Sequence, residues 1–145
     1  MKVDKTSITV DCKLGLNTII QPFCNIYKSN IGNNTKIGAY TEIGRSSIGN
    51  DCKIGAKVFI PPGILIGDRV FIGPATIFTN DKHPKAVGPW ECLCTVVEDD
   101  VSIGAGCVIL PGITIGKGAI IGAGSVVTKD IKENTLVYGY GSREK

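Results

Sequence analysis

The chain has 145 residues, and its 16 lysines and arginines outnumber its 13 acidic residues to leave a formal net charge of +3. This charge is small and mixed along the sequence, which excludes a nucleic-acid-binding role. The first residues lack an export signal, and no stretch approaches the roughly 20 apolar residues of a membrane span, so we expect a cytoplasmic protein without a membrane partner. The length suits one continuous core, and no linker interrupts it, so we expect residues 1–145 to form one domain.

Aliphatic residues recur at about every sixth position, a spacing that fits neither the roughly 3.6-residue period of a helix nor the roughly 2-residue period of a strand. The series comprises Ile8, Leu14, Ile20, Ile26, Ile31, Ile37, Ile43, the stretch from Ile48 to Phe78, and the stretch from Val97 to Val127. This period is typical of a hexapeptide-repeat parallel β-helix, in which each unit forms one side of a triangular coil. We therefore predict an all-β solenoid of about six or seven coils, stacked roughly 4.8 Å apart.

Glycine often follows the repeating aliphatic residue, where the chain must turn a tight corner. Such a glycine either relieves crowding or permits a positive φ. Eleven of the 19 glycines lie at this position: Gly15, Gly32, Gly38, Gly44, Gly49, Gly55, Gly67, Gly73, Gly104, Gly116 and Gly122.

A second, smaller inward residue follows each aliphatic residue by four positions, and four of the six cysteines occupy this place: Cys12, Cys24, Cys52 and Cys107. We interpret them as reduced core side chains, because nothing indicates an oxidising compartment. Cys92 and Cys94 form a C-x-C pair outside the repeat. With one histidine and no second cysteine pair nearby they make a poor zinc site, so no metal is expected.

The repeat is interrupted once, between Phe78 and Val97. Its continuation would place Pro84 and Trp90 at inward sites, which a strand ladder tolerates poorly. We therefore predict a loop over residues 79–94 that leaves the solenoid. Loops on stiff scaffolds commonly carry function, and this loop holds the only histidine and the only tryptophan of the chain.

The residues of the repeat carry a family resemblance. Residues 104–131, GAGCVILPGITIGKGAIIGAGSVVTKDI, resemble the acetyl-CoA-binding coils of left-handed hexapeptide-repeat acyltransferases. A narrower similarity is to bacterial N-acetyltransferases that act on nucleotide-linked amino sugars. Three further segments carry it: NIYKSNIGNNTKIGAYTEIG, FIGPATIFTNDKHPKAVGPWE and TVVEDDVSIGAG. The resemblance implies a left-handed β-helix, a cytoplasmic homotrimer with acetyl-CoA between subunits, and acetylation of a nucleotide-linked amino sugar for cell-surface polysaccharide precursors.

Transfer of an acetyl group to an amine requires a positioned neutral amine, a donor for the oxyanion and a destination for the proton. Asn80 and Asp81 lie where the loop leaves the preceding strand, so their side-chain oxygens are candidates for orienting the amine. Alternatively, both residues cap a turn. His83 with Pro84 resembles the catalytic His-Pro of hexapeptide O-acetyltransferases, so His83 is either a general base or a packing residue beside substrate or CoA.

The resemblance also implies binding residues. It places nucleotide-sugar contacts at Glu42 and Arg45, although one residue is missing between Ile43 and Ile48, and both side chains also suit a solvated face. It places acetyl-CoA contacts at backbone groups of small corner residues, with a lysine near a phosphate: Gly104, Ala105, Gly122, Ala123 and Lys129. Corner geometry alone also explains the two glycines.

Other functions stay open. An O-acetyltransferase acting on a sugar or serine hydroxyl needs a general base, because a hydroxyl is a poor nucleophile. A γ-class carbonic anhydrase shares the solenoid shape but needs three histidines on zinc, and this chain has one. A purely structural solenoid would leave the polar loop without a role.

Overall fold

The structure is a computed structural model that describes residues 1–141 and 143–144. In these residues the chain forms short strands joined by tight corners and contains no helix, and thus none that could cross a membrane. The strands build three sheets that enclose one core, which confirms the predicted all-β, left-handed parallel β-helix.

The chain passes through the three sheets in turn, and we call the sheets A, B and C and their junctions the AB, BC and CA corners. Sheet A contains β1 (Lys2–Val3), β4 (Ile19–Ile20), β7 (Lys36–Ile37), β10 (Lys53–Ile54), β13 (Phe71–Ile72), β16 (Ser102–Ile103), β19 (Ile120–Ile121), β21 (Leu136–Tyr138) and β22 (Arg143–Glu144). Sheet B contains β2 (Ile8–Val10), β5 (Asn25–Tyr27), β8 (Glu42–Gly44), β11 (Phe59–Ile60), β14 (Ile77–Phe78), β17 (Val108–Ile109) and β20 (Val126–Val127). Sheet C contains β3 (Lys13–Leu14), β6 (Asn30–Ile31), β9 (Ser47–Ile48), β12 (Ile64–Ile66), β15 (Thr95–Val97) and β18 (Thr114–Ile115).

Neighbouring strands pair in parallel, and the antiparallel pair β21–β22 closes one end of sheet A. Sheet A has eight parallel strands and sheet B has seven, so the described chain makes seven coils and the first side of an eighth. The solenoid is thus slightly longer than the predicted six or seven coils.

The core consists of inward side chains stacked in columns, one residue per coil and sheet. In sheet B the strand register aligns one such column, and every member is fully buried: Ile26, Ile43, Ile60, Phe78, Ile109 and Val127. Each buried aliphatic side chain contributes about 1.5–3 kcal/mol relative to its exposed state. Each six-residue repeat of the sequence therefore supplies one residue to one of these columns.

The BC corner of the early coils is tighter than the repeat predicts. The inward residues on either side of this corner are five positions apart at Ile26 to Ile31 and at Ile43 to Ile48. Lys28 and Arg45 turn the corner with φ values of 50° and 37°. Six-residue corners also contain a left-handed residue, such as Asn34 or Tyr40, so a positive φ by itself does not account for the missing residue.

The first coil shifts the repeat by one position. Ile8 pairs with Asn25, whereas Thr9 pairs with the buried Ile26. Ile8 therefore faces outward and is 59% exposed. The predicted inward position of Ile8 is wrong, because a five-residue corner moves the inward site to Thr9.

The glycines that follow the inward aliphatic residues are required by close stacking of the coils. A Cβ on Gly32 would lie 2.5 Å from the carbonyl carbon of Gly49, and a Cβ on Gly104 would lie 2.5 Å from the nitrogen of Ala123. The positive φ falls two positions later, for example at Asn34 with φ 57°. Relief of crowding, rather than backbone conformation, explains this glycine pattern.

Asparagine and aspartate side chains tie successive coils together at the CA corner. Asn33 Oδ1 accepts a hydrogen bond from the Leu16 amide at 2.8 Å, and Asn50 Oδ1 accepts one from the Asn33 amide at 2.8 Å. Asp68 Oδ1 then accepts from the Asn50 amide at 2.7 Å, and Asp99 Oδ1 accepts from the Asp68 amide at 2.8 Å. We call this run the CA ladder. It satisfies corner amides that would otherwise lack a partner, at about 1 kcal/mol each.

All six cysteines are free thiols, and three of the four predicted core cysteines are buried: Cys24, Cys52 and Cys107. Burial raises the pKa of each of these thiols, because desolvation disfavours the thiolate. Cys12 is half-buried because it lies in the first coil. Cys92 and Cys94 are exposed in the loop segment.

Removal of one member of the CA ladder tests its contribution to stability. We expect Asn50→Ala to lower the free energy of unfolding by about 1–2 kcal/mol, because the Asn33 amide loses its acceptor. Urea unfolding at a fixed protein concentration measures this change. Asn30→Ala is the control, since Asn30 is exposed and its side chain has no hydrogen bond in the described chain; equal effects of the two substitutions would contradict the ladder.

Cysteine labelling tests the burial of the thiols. At about pH 8 we expect iodoacetamide to modify Cys92 and Cys94 first, because the thiolate is the reactive form and the buried thiols have raised pKa values. Mass spectrometry of peptides from folded and denatured protein measures the difference. Rapid labelling of Cys52 or Cys107 in the folded protein would contradict the described core.

Candidate functional site

The loop over residues 79–94 leaves the solenoid after β14 and returns at β15, as predicted. The Leu93 amide donates a hydrogen bond of 2.9 Å to the carbonyl oxygen of Asn80, which closes the base of the loop. Between Lys82 and Cys92 the residues are exposed. The loop therefore projects from the BC corner and is anchored at its base.

Asn80 is held by the preceding coil. Its Nδ2 donates a hydrogen bond of 2.9 Å to the carbonyl oxygen of Pro62, and it lies 3.9 Å from Cys92 Sγ. A carbonyl oxygen only accepts hydrogen bonds, so the amide nitrogen must face Pro62. In the described chain Oδ1 of Asn80 receives no hydrogen bond, and it is available to accept one from a ligand.

Asp81 and His83 form a local turn. Asp81 Oδ1 accepts a hydrogen bond of 2.9 Å from the backbone amide of His83, the turn-capping contact that the sequence left open for Asp81. The exposed imidazole of His83 makes no hydrogen bond or ion pair with the residues that the structure describes. Both residues border a cavity of about 140 Å³ on the loop, together with Lys82, Lys85 and Trp90.

An apolar groove lies beside Asn80, on the outer face of sheet B. Phe59 and Ile77 are neighbours in the strand register and are 40% and 43% exposed. They form its floor, while Trp90 rises from the loop. The groove has a volume of about 450 Å³ and is lined by Phe59, Pro61, Pro62, Ile77, Phe78, Thr79, Asn80, Asp81, Pro84 and Trp90.

The structure places Glu42 and Arg45 near this groove. Glu42 pairs with Phe59, so its side chain belongs to the same outward column as the groove floor, one coil before it. The carbonyl oxygen of Arg45 accepts a hydrogen bond of 3.2 Å from the Gly63 amide at the BC corner. Both predicted substrate residues therefore lie within one coil of the residues that line the groove.

The predicted acetyl-CoA residues divide between two corners. At the AB corner lie Gly104, Ala105, Gly122 and Ala123, followed in each coil by a glycine of positive φ with open space at its Cβ position. Earlier coils fill this corner with the stacked rings of Phe23 and Tyr40, whose centroids are 5.1 Å apart. Lys129 lies at the BC corner and lines a cavity with Thr135 and Val137. Within one chain, sheet B separates Lys129 from the small corner residues.

Sequence reasoning missed the partners of Asn80, which are Pro62 and Cys92. A signal was present at the BC corner: Ile60 and Ile66 are six positions apart, one more than in the two preceding coils, and the corner reads Pro61-Pro62-Gly63. The extra residue presents the Pro62 carbonyl to the next coil. Among the described residues, no three His, Cys, Asp or Glu side chains are grouped to hold a metal ion.

The parallel coils, the loop and the groove define a hexapeptide-repeat transferase. A family model for the bacterial transferase hexapeptide (six repeats) matches residues 45–80 and 94–129, on both sides of the loop. A hexapeptide-repeat-containing acetyltransferase from Vibrio cholerae is 32% identical over 92% of this chain and 72% of its own, with a TM-score of 0.60. The same acetyltransferase has also been solved with acetyl coenzyme A. This chain belongs to the hexapeptide-repeat acyltransferases.

Two further solved structures share the fold. A Bacillus cereus protein assigned to the acetyltransferases aligns over 96% of this chain and 81% of its own, with 23% identity and a TM-score of 0.80. AntD, an N-acyltransferase from Bacillus cereus solved with dTDP-4-amino-4,6-dideoxyglucose and coenzyme A, aligns over 99% and 78%, with 20% identity and a TM-score of 0.66. No curated protein sequence matches the chain.

Proposed function

We propose that the protein is an acetyl-CoA-dependent N-acetyltransferase that acts in the cytoplasm on the amino group of a nucleotide-linked amino sugar, in the synthesis of cell-surface polysaccharide precursors. The observation that carries this proposal is the free carboxamide oxygen of Asn80 at the edge of the apolar groove. Two structural relatives support it: the Vibrio cholerae acetyltransferase binds acetyl coenzyme A, and AntD binds a dTDP-linked amino sugar with coenzyme A.

The reaction uses Asn80 to orient the acceptor. Its Oδ1 accepts one N–H of the neutral amine, which directs the nitrogen lone pair towards the thioester carbonyl. The C–N bond forms, the tetrahedral intermediate collapses with cleavage of the C–S bond, and the departing thiolate takes up the proton of the amine. A strong general base is not required, because an unprotonated amine is already nucleophilic.

The groove and the small corner residues provide complementary binding surfaces. Phe59, Ile77 and Trp90 exclude water around the thioester and pack against the uncharged part of the ligand. The small residues of the AB corner let the pantetheine chain approach backbone amides and carbonyls, with Lys129 near a phosphate. Glu42 and Arg45, on the coil next to the groove floor, contact the sugar nucleotide.

A homotrimer completes this site. One chain supplies one wall of the groove, and the apolar floor of Phe59 and Ile77 is partly exposed. Lys129 is separated from the AB corner within one chain, whereas a symmetry-related copy brings the BC corner of one subunit to the AB corner of the next. Burial of exposed apolar surface supplies the driving force for this assembly.

An O-acetyltransferase is the second candidate function. The His83 imidazole makes no hydrogen bond with the described residues, and it lies on the same loop as Asn80. It is therefore free to accept the proton of a hydroxyl acceptor.

Alanine substitutions separate the two functions. With an amine acceptor, Asn80→Ala is expected to lower kcat roughly 10²-fold because amine orientation is lost, while His83→Ala changes it less than about fivefold. The assay is thiol release from acetyl-CoA with a panel of UDP- and dTDP-linked amino sugars. Asn25→Ala, at an exposed asparagine of the same sheet, is the matched control.

The outcome for His83 decides between the acceptors. A loss of roughly 10²-fold in His83→Ala, together with turnover of hydroxyl acceptors alone, would establish the O-acetyltransferase instead. Absence of turnover with every amine would contradict the proposed N-acetyltransferase.

Sedimentation and subunit mixing test the assembly. We expect a mass three times the 15.3 kDa of one chain. Because Asn80 and the small AB-corner residues of one site come from different subunits in this proposal, mixed trimers of Asn80→Ala chains and Ala123→Trp chains, in which the tryptophan fills the AB corner, should regain activity that neither variant has alone. A stable, fully active monomer would contradict the intersubunit site.

A further inference from the structure

The base of the loop carries a thiol that the reaction proposed above does not use. Cys92 Sγ lies 3.2 Å from the carbonyl oxygen of Pro62 and donates its hydrogen to it. The same carbonyl accepts the hydrogen bond from Asn80 Nδ2. Two side chains from opposite ends of the loop, residues 80 and 92, therefore converge on one backbone oxygen of the preceding coil.

The thiol also faces Asn80 directly. Sγ of Cys92 lies 3.9 Å from Asn80 Nδ2, within range of a weak hydrogen bond to sulfur. The amide nitrogen of Asn80 therefore contacts both the Pro62 carbonyl oxygen, at 2.9 Å, and the Cys92 sulfur. A carboxamide flip would place Oδ1 against the Pro62 carbonyl, acceptor against acceptor, so these two contacts together keep Oδ1 on the other side.

The backbone fixes the position of the sulfur. A Cβ on Gly63, which has a φ of 94°, would lie 2.8 Å from Cys92 Sγ, so the thiol occupies space that only a glycine leaves open. The adjacent Leu93 amide is bonded to the Asn80 carbonyl oxygen at 2.9 Å. Cys92 and Asn80 are thus held together by backbone as well as by side-chain contacts.

We infer that Cys92 is a positioning residue that holds the Asn80 carboxamide with its oxygen available to the acceptor amine. This inference rests on the proposed function of Asn80 as the group that orients the amine. Loss of the thiol leaves the hydrogen bond to Pro62 as the one described side-chain contact that orients the Asn80 carboxamide, and the fraction of enzyme with a correctly oriented carboxamide falls. Acetyl-CoA binding is unaffected, because Cys92 does not line the groove.

Cys94 offers a matched control within the same segment. It is exposed like Cys92, but its Sγ is 4.0 Å from the carbonyl oxygen of Thr95 and makes no contact with Asn80 in the described chain. A substitution at Cys94 therefore removes a loop thiol without touching the carboxamide.

Steady-state kinetics with the amino-sugar acceptor test the role. Cys92→Ala is expected to lower kcat roughly tenfold with an unchanged KM for acetyl-CoA. Cys92→Ser, which keeps a donor and an acceptor, should restore kcat to within about threefold of wild type, and Cys94→Ala should equal wild type.

In an Asn80→Ala background, Cys92→Ala should have no further effect on kcat. Wild-type kcat in Cys92→Ala, or full additivity with Asn80→Ala, would overturn the inference.

A second measurement does not depend on turnover. The side-chain ¹⁵N–¹H signals of Asn80, assigned with Asn80→Asp, should shift and narrow in Cys92→Ala and stay unchanged in Cys94→Ala. Unchanged Asn80 signals in Cys92→Ala would overturn the inference even in the absence of an identified acceptor. Lack of turnover by wild type with shifted Asn80 signals would instead contradict the proposed function alone.

Reversible modification of the folded wild type covers the case in which a variant does not fold. Methyl methanethiosulfonate converts the Cys92 thiolate to a methyl disulfide with release of methanesulfinate, and the Asn80 signals should shift as they do in Cys92→Ala. Dithiothreitol should restore them. Reagent-treated Cys92→Ser should keep its Asn80 signals, and an equal response of Cys92→Ser and wild type would overturn the assignment to Cys92.

Discussion

Register between successive coils is the constraint on which the structure depends. Each coil places an isoleucine, valine or phenylalanine directly above its counterpart, so the inward columns form only if every corner keeps the next strand in step. The corners then have little freedom. Glycine is required where a Cβ would meet the next backbone, and the carboxylate and amide oxygens of the CA ladder pair with corner amides that the strand ladders do not reach. Hydrophobic stacking and corner hydrogen bonding thus enforce the same alignment.

The proposed site lies where the loop leaves the solenoid, beside the corner of the preceding coil. The extra residue in the corner Pro61-Pro62-Gly63 presents a carbonyl oxygen that accepts side-chain rather than backbone hydrogen bonds in the described structure, and the following coil uses it to hold Asn80. The loop that begins there is mostly exposed, yet both of its ends are bonded at the base. A stiff solenoid therefore carries a polar group whose orientation is determined by the coil before it, which is the pre-organisation that positional catalysis requires.

Sheet B connects the parts of the proposed site. Its outer face supplies the apolar floor, its BC border carries the loop and Lys129, and its AB border carries the small residues of the late coils. At the AB corner the stacked Phe23 and Tyr40 of the early coils give way to alanine and glycine in the late coils, where space is open beside Gly106 and Gly124. A narrow prism cannot fold these two borders onto each other, and this physical limit is why the proposed site draws on neighbouring copies.

The sequence by itself determined the class of fold, the position of the loop and the acyltransferase family, because inward and outward residues alternate with a local period that needs no knowledge of distant contacts. It also singled out Asn80, whose place at a strand end is a local property. Tertiary structure alone decided that Asn80 binds Pro62 across 18 residues and meets Cys92, that Asp81 caps a turn, and that Ile8 faces solvent. These outcomes depend on how many residues each corner uses and on contacts between successive coils, neither of which a hydrophobic period encodes.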